Sequence, residues 1–259
     1  MTLTISIIAK DGIILASDSR ATIGNPLGLT TVNDTVKKVF KVTNHSGLAI
    51  AGEGELGATL IDAFYYTLHE KPNYNLLSID ELVDLLRSIV IGKYNEWFPH
   101  IRPEERPYLS IILSGYRKDE GGGLTIPQMF TLHSSYHFAP CTNTMGFAAL
   151  GITPLATYLL NRLYTKDIIK LKAAIELASF CIVETASQDG KVGGNLQLAT
   201  FSNIDDFNLL GNEDVNVIID KCSEFRKNLQ NPFYAIGEKV EIAQTGPLFK
   251  EQPIEEKKL

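Results

Sequence analysis

The chain has 259 residues, 24 Lys and Arg against 30 Asp and Glu, and 44% hydrophobic content, which is enough apolar material for a sizeable core and excludes disorder as the main state. No apolar run approaches the roughly eighteen residues that cross a bilayer, and the opening MTLTISIIAKDG lacks the basic start and small-residue cleavage site of a secretory signal, so no membrane partner and a cytoplasmic location are expected. A net charge of -6 without a basic run leaves no electrostatic footprint for nucleic acid.

The first elements are strands. Thr2, Thr4 and Ser6 alternate with Leu3, Ile5 and Ile7 at period two, and a second β-rich run covers Gly12 to Asp18 after the turn-forming Asp11-Gly12. Further strands are expected at Lys37 to Val42 and Leu48 to Ala51. Two helices follow, Glu55 to His69 and Ser78 to Trp97. The second carries Leu82, Leu85, Leu86 and Ile89 at helical spacing and a capping box in Ser78 and Glu81. Strands at Tyr108 to Leu113 and Gln128 to Leu132 flank the turn Gly121 to Gly123. A helix pair, Pro154 to Tyr164 and Ile169 to Ala186, then precedes the strand Leu196 to Phe201. An added helix spans Glu213 to Leu229, and a charged, mobile tail runs from Gln244. Strands and helices in separate runs predict an α+β layered domain of antiparallel sheets rather than a doubly wound parallel sheet. No linker or internal repeat divides the chain, so a single domain is expected.

Several motifs fail on inspection. Gly52-Glu53-Gly54-Glu55-Leu56-Gly57 matches GxGxxG, yet one helix is followed by another where a second parallel strand is required, and two carboxylates would repel a pyrophosphate. There is no P-loop, no HExxH pair and no GxSxG elbow. His133 and His137 read as surface or packing residues. Cys141, Cys181 and Cys222, odd in number and without CxxC spacing, argue against a disulfide framework and a zinc site, and read as buried thiols. No cofactor and no metal are expected.

One constellation remains. A threonine follows the initiator methionine, and removal of Met1 would leave Thr2 with a hydroxyl and a free α-amine on one residue. A threonine hydroxyl needs a base to become a nucleophile, and an α-amine with a reference pKa of about 7.7 to 8.0 is already poised near neutrality. A protonated lysine nearby would keep more of that amine unprotonated; Lys37 and Lys38 are the candidates.

The runs TLTISIIAKDGIILASDSRAT, TVKKV and LAIAGEGE resemble the β-type subunits of the proteasome superfamily, from Thr2 to about Phe201. The resemblance implies a four-layer αββα sandwich of two antiparallel sheets flanked by helices, and an N-terminal nucleophile hydrolase of the threonine peptidase type. It implies Thr2 as nucleophile with its own amine as general base, Asp18 holding Lys38 charged and oriented, and Gly52 supplying the oxyanion-hole N–H. Asp189 falls on an aspartate that helps to position the terminal amine. Ala21, Val36, Ile50 and Gly54 fall on the specificity pocket, which implies an apolar pocket for a hydrophobic residue before the cut. It further implies a homo-oligomeric ring acting on polypeptide substrates. With no ATP site in the chain, any unfolding would need a separate ATPase. No family-type gating helix precedes the first strand, which points to the β-type.

Hairpin register bears independently on which side chains share a face with Thr2. A three-residue loop, Lys10 to Gly12, sets Asp18 opposite Thr4 and groups Thr2, Thr4, Ser6, Ala16 and Asp18 on one face, with Gly12 in the left-handed conformation. The sequence also departs from the family. Leu150 stands before Gly151, and Val192 follows Asp189, where serines that assist the terminal amine are expected. The alternatives are therefore a narrow-specificity amidase or transpeptidase on the same nucleophile, or a non-catalytic ring scaffold that retains Met1. Residues 202–259 lie beyond the matched core as a C-terminal extension.

Overall fold

A computed structural model of the chain describes residues 2–24 and 30–239. The Met1 position and the charged tail from Gln244 lie outside the described residues. The elements in order are β1 (Leu3–Ala9), β2 (Gly12–Ser17), β3 (Ala21–Gly24), β4 (Thr30–Asn33), β5 (Val39–Thr43), β6 (Ser46–Gly52), α1 (Gly54–His69) and α2 (Ile79–Trp97). They continue with β7 (Leu109–Lys118), β8 (Leu124–His133), β9 (Cys141–Thr142), β10 (Phe147–Gly151), α3 (Pro154–Leu163), α4 (Leu171–Gln188), β11 (Gln197–Phe201), β12 (Asn208–Leu209) and α5 (Asn212–Lys239).

Two five-stranded sheets form, in the orders β10-β1-β2-β11-β12 and β5-β6-β7-β8-β9, and β3 pairs with β4 as a separate hairpin. Every strand pairing among the described residues is antiparallel. Three apolar cores lie between successive layers. Leu82, Val83, Leu86 and Val90 of α2 and Leu60, Ile61 and Phe64 of α1 bury against Leu48, Ile50, Leu109, Ile111 and Leu113 of the second sheet. On the first sheet, Leu3, Ile5, Ile7, Ile14 and Ala16 pack under Leu160 of α3 and Ala174, Ala178, Cys181 and Ile182 of α4, joined by Val215. Between the sheets lie Ile13, Leu15, Val39, Ala49, Ala51, Ile112, Met129, Ala148, Leu150, Ala199 and Phe201. The architecture is the expected αββα sandwich. Small residues at Ala49, Ala51, Ala148 and Ala199 fit facing positions in a core where side chains from two sheets must interdigitate.

The hairpin register differs from the expectation. Ala9 pairs with Gly12 and Thr4 with Ser17, so the turn is the two-residue Lys10-Asp11, and a continued ladder would set Asp18 opposite Leu3 rather than Thr4. Gly12 has no positive φ. It is required for space: a Cβ there would meet Leu171 Cδ2 at 2.9 Å and the Phe201 carbonyl oxygen at 3.0 Å. The polar–apolar criterion failed because both faces of this sheet are covered, so neither face must be polar. Thr4, Ser6 and Ser17 share the inter-sheet face with Ile13 and Leu15, and they are fully buried. Ser6 Oγ meets Ser114 Oγ of the facing sheet at 2.9 Å, which satisfies two hydroxyls that burial would otherwise strand.

The capping box is present: Glu81 N donates to Ser78 Oγ at 3.4 Å and Ser78 N donates to Glu81 Oε2 at 2.8 Å. Of the three cysteines, Cys181 and Cys222 are buried, whereas Cys141 is exposed. It sits in the two-residue strand β9, whose short pairing with β8 covers neither side. Burial pushes the Cys181 thiol up to about 12, with nearby Cys222 adding to the shift. Contacts divide the chain into two units, Met1–Cys222 and Ser223–Leu259. The first is the sandwich, and the described part of the second is the later portion of α5. Among the described residues no helix is long and apolar enough to cross a membrane, and no cluster of His, Cys, Asp and Glu is arranged to hold a metal ion.

Candidate active site

Thr2 precedes β1 at the edge where β10 also ends, and it is 5% exposed. Its carbonyl accepts from Ile152 N at 2.8 Å. Gly151, at φ +92°, leaves room for that approach, since a Cβ there would stand 1.8 Å from Thr2 O. No side chain other than hydrogen fits. The Thr2 hydroxyl makes no hydrogen bond among the described residues, and the residue lines a cleft of about 400 Å³.

Asp18 is the residue just beyond β2, and it is 1% exposed. Its Oδ1 accepts from Leu3 N at 2.9 Å and from Lys38 Nζ at 3.0 Å. Its Oδ2 accepts from Arg20 N and Gly193 N, each at 3.1 Å. Four N–H donors thus converge on one carboxylate, which supplies hydrogen-bond partners to a group that burial would otherwise strand. The expected sharing of a sheet face with Thr2 is overturned: the register carries Asp18 to the position opposite Leu3, on the other face of the ladder from Thr2. Instead Asp18 turns back at the strand end onto the amide that follows Thr2, and its link to the threonine runs through Leu3 N and Lys38.

Lys38 immediately precedes β5 and is 3% exposed, whereas Lys37 is exposed with Nζ 5.0 Å from the Phe40 ring centroid. Of the two lysines, Lys38 lines the cleft and Lys37 does not. Lys38 Nζ also donates to Arg20 O at 2.6 Å. Burial pulls its pKa below the ordinary lysine value, with attraction to Asp18 opposing that pull. An amine held in this way gives up a proton more readily than a surface lysine.

Several positioning residues carry no local sequence signal. Gln197 of β11 reaches from the first sheet to the start of β5: its Oε1 accepts from Lys38 N at 2.9 Å and Val39 N at 3.3 Å, and its Nε2 donates to Val36 O at 2.6 Å. Arg20 forms a two-point clamp on Asp34 at 2.7 and 2.8 Å and donates to Gly190 O at 3.0 Å. This holds the 189–194 turn against the 18–20 segment. Ser19 N and Arg20 N both donate to Gly193 O.

Gly52 ends β6 at φ +121°, and a Cβ there would lie 2.2 Å from Tyr108 O. Glu53 N donates to that same oxygen at 2.9 Å. The cleft lining contains Thr2, Lys38 and Gly52 together with Ala21, Val36, Ile50 and Gly54, the four residues expected of the pocket. Glu53 and Glu55 also line it and were not anticipated. Asp189 is not among the lining residues. It caps the end of α4, where its Oδ1 accepts from Lys191 N at 2.9 Å and its carbonyl accepts from Val192 N at 3.0 Å. Leu150 and Val192 are both core residues, 4% and 1% exposed, so neither position offers a polar group to Thr2. As for GxGxxG, β6 runs antiparallel to β7 and α1 is followed by α2, which removes the dinucleotide frame.

A threonine opening the first strand of an αββα sandwich, beside a buried lysine, defines the class as the N-terminal-nucleophile hydrolase fold. A family model described as "Proteasome subunit" matches residues 2–201, and the chain belongs to that family. Among curated proteins it is similar to proteasome subunit beta 1 of Thermococcus onnurineus (strain NA1), 25% identical over 226 residues that cover 84% of this chain and 96% of the relative. It is 28% identical over 209 residues to proteasome subunit beta 1 of Thermococcus kodakarensis, covering 78% of this chain and 88% of the relative. Its fold is similar to Anbu (ancestral beta-subunit) from Yersinia bercovieri, with TM-score 0.67 and 16% identity, covering 94% of this chain and all of that one. Against the Anbu Gly-1 mutant from Hyphomicrobium sp. strain MC1 the TM-score is 0.70 at 15% identity, covering 93% of this chain and 98% of that one.

Proposed function

We propose that the protein is a proteasome β-type threonine endopeptidase that works after removal of Met1, in a homo-oligomeric ring. The observation that carries the reading is the Lys38–Asp18 pair, buried on both sides, with Lys38 lining the same cleft as Thr2. In this reading the free α-amine of Thr2 takes the proton from Oγ1 as the oxygen attacks the scissile carbonyl. Gly52 N–H stabilises the oxyanion. Collapse of the tetrahedral adduct breaks the C–N bond, the α-ammonium returns its proton to the leaving amine, and an ester to Thr2 remains. Water, deprotonated by the same amine, then hydrolyses the ester and restores the hydroxyl. Lys38 favours the neutral amine by placing positive charge nearby. Asp18 orients the lysine and, through Leu3 N, the backbone next to the nucleophile. Asp189 acts at one remove, by shaping the turn that delivers Gly193 N to Asp18. Polypeptide substrates that need unfolding would be delivered by a separate ATPase.

A second reading, a narrow-specificity amidase or transpeptidase on the same nucleophile, is favoured by Leu150 and Val192. With both buried in apolar cores, the terminal amine lacks two side-chain partners. A third, a scaffold subunit with Met1 retained, is separated by intact-mass analysis of the N-terminus.

The deciding experiment treats the full chain with an N-terminal-threonine-directed electrophile such as a peptide epoxyketone and reads the mass shift. We expect one adduct per chain in the wild type and none in Thr2→Ala. Retained Met1 together with no adduct would overturn the peptidase reading. Cleavage of an unfolded protein, against cleavage of a defined small amide alone, separates the first reading from the second.

A further inference from the structure

We propose that Tyr108, Ser110 and His133 are positioning residues for the amide at Gly52: their side chains bond in series and fix the carbonyl that holds the Gly52–Glu53 turn. This rests on the peptidase reading above, in which Gly52 N–H meets the oxyanion, and adds to it three residues that do not line the cleft.

The Tyr108 carbonyl governs how the chain leaves β6. Glu53 N donates to Tyr108 O at 2.9 Å. The same oxygen would stand 2.2 Å from a Cβ on Gly52, and the glycine takes φ +121° beside it, so the turn has no slack against that oxygen. Tyr108 nevertheless precedes β7 rather than lying within it, and backbone at the end of a ladder frays unless side chains hold it. Its neighbours are held on both sides: the Tyr94 hydroxyl of α2 donates to Pro107 O at 3.1 Å, and Leu109 N donates to Ser134 Oγ at 3.0 Å. Tyr108 itself is held through its ring. Ser110 Oγ donates to Tyr108 Oη at 2.6 Å and meets His133 Nδ1 at 2.7 Å.

Local geometry brings the three together. Ser110 and His133 are directly opposed in the β7–β8 register, and Tyr108 lies two residues before Ser110, the spacing that returns a side chain to the same face. The Tyr136 ring packs edge-on to His133 at 5.7 Å. Burial holds the His133 pKa below the ordinary histidine value, so the ring is neutral at neutral pH. With the serine proton given to Tyr108, His133 Nδ1–H donates to Ser110 Oγ, and the bonds run in one direction from His133 to Tyr108. Ser110 is fully buried, so solvent does not make good the loss of either partner. An N–H that stabilises developing charge has to be in place beforehand, and a displacement of about 1 Å costs on the order of a hundredfold. His133, expected from the sequence as a surface or packing residue, thus acts on the reaction through Tyr108 and Gly52.

The test uses the full chain and two ligands of one peptide sequence. A peptide aldehyde forms a hemiacetal with Thr2 that sets an oxygen against the Gly52 amide, whereas the matching peptide amide fills the cleft without forming one. In Ser110→Ala and His133→Leu the inhibition constant of the aldehyde should rise about tenfold to hundredfold while that of the amide stays within about twofold. On a fluorogenic peptide kcat should fall by a similar factor with KM little changed. His133→Asn, which returns an N–H donor close to the Nδ1 position, should recover most of the loss. Tyr108→Phe, at a residue 49% exposed where the fold tolerates change, removes the last bond alone and should show the same split. Counting sites by epoxyketone-labelled Thr2 corrects for any unfolded fraction. Aldehyde and amide weakened equally, or neither weakened in Ser110→Ala and Tyr108→Phe, overturns the positioning role while the peptidase reading stands. A wild type that neither cleaves nor labels at Thr2 overturns both.

Discussion

Two lysine–carboxylate pairs show how little an interatomic distance says about worth. Lys118 Nζ lies 2.8 Å from Glu81 Oε2 at the junction of β7 with α2, with 41% and 47% of the two side chains exposed. Lys38 Nζ lies 3.0 Å from Asp18 Oδ1, with 4% and 1% exposed. The shorter contact sits in water that would solvate either partner alone, so it contributes little. The longer one has no water to fall back on, and removing one partner strands the other. The surface pair secures a helix start, whereas the buried one ties the end of β2 to the start of β5.

Substituting Asp18 should produce the largest contrast. Asp18→Ala leaves the Lys38 ammonium without its carboxylate and deprives the Leu3, Arg20 and Gly193 amides of an acceptor. A loss of about 3–5 kcal/mol in urea denaturation is expected, with epoxyketone labelling abolished. A loss below about 1 kcal/mol would place the pair in the same category as Lys118–Glu81.

Gln197→Ala should be intermediate. It removes the acceptor of the Lys38 and Val39 amides without touching any charge, and about 1–3 kcal/mol is expected. The pH profile of peptide cleavage should shift as Lys38 moves relative to Thr2, which a purely structural role would not cause. Gln197→Glu keeps an acceptor at that position and should recover part of the stability.

Glu81→Gln should have the smallest effect, less than about 1 kcal/mol after allowance for solvent exposure. The hydrogen bond from Lys118, followed by that from Ser78 N, lowers the Glu81 carboxyl from an ordinary 4.5 to about 2. A folded-state pKa below the unfolded one means that the contribution is complete above about 4.5 and is lost as pH falls toward 2. Thermal melts across that window should therefore converge for wild type and variant at the acid end. Divergence growing toward low pH would reverse the assignment.

The same difference in environment explains what the sequence revealed. Elements whose pattern has one dry and one wet side were readable: α2 starts beside its capping box, and its Leu82, Leu86 and Val90 stripe is buried. The β1–β2 hairpin was misread by one residue because Thr4, Ser6 and Ser17 are as buried as Ile5 and Ile7, and alternation of polarity no longer reports a face. Strand β10 was missed because Phe147–Gly151 is short and ends at a glycine whose purpose, room for the Thr2 carbonyl, depends on a distant segment. Within the candidate site, Thr2, Asp18, Lys38 and Gly52 came with the family resemblance, which contiguous runs of sequence carry. Gln197 and the Arg20–Asp34 clamp did not, because each acts on residues far away along the chain.

The approach of Gly151 to the Thr2 carbonyl, together with the Ile152 amide that holds it, fixes how position along the chain is counted at the cleft. Strand β10, not the start of the chain, acts as the ruler for residue 2. Lengthening the chain ahead of Thr2 alters only what is attached to its nitrogen. A single residue inserted between Thr2 and Leu3 would leave the ladder intact and deliver a different side chain to the cleft, with the threonine moved about 3.3 Å along the strand direction.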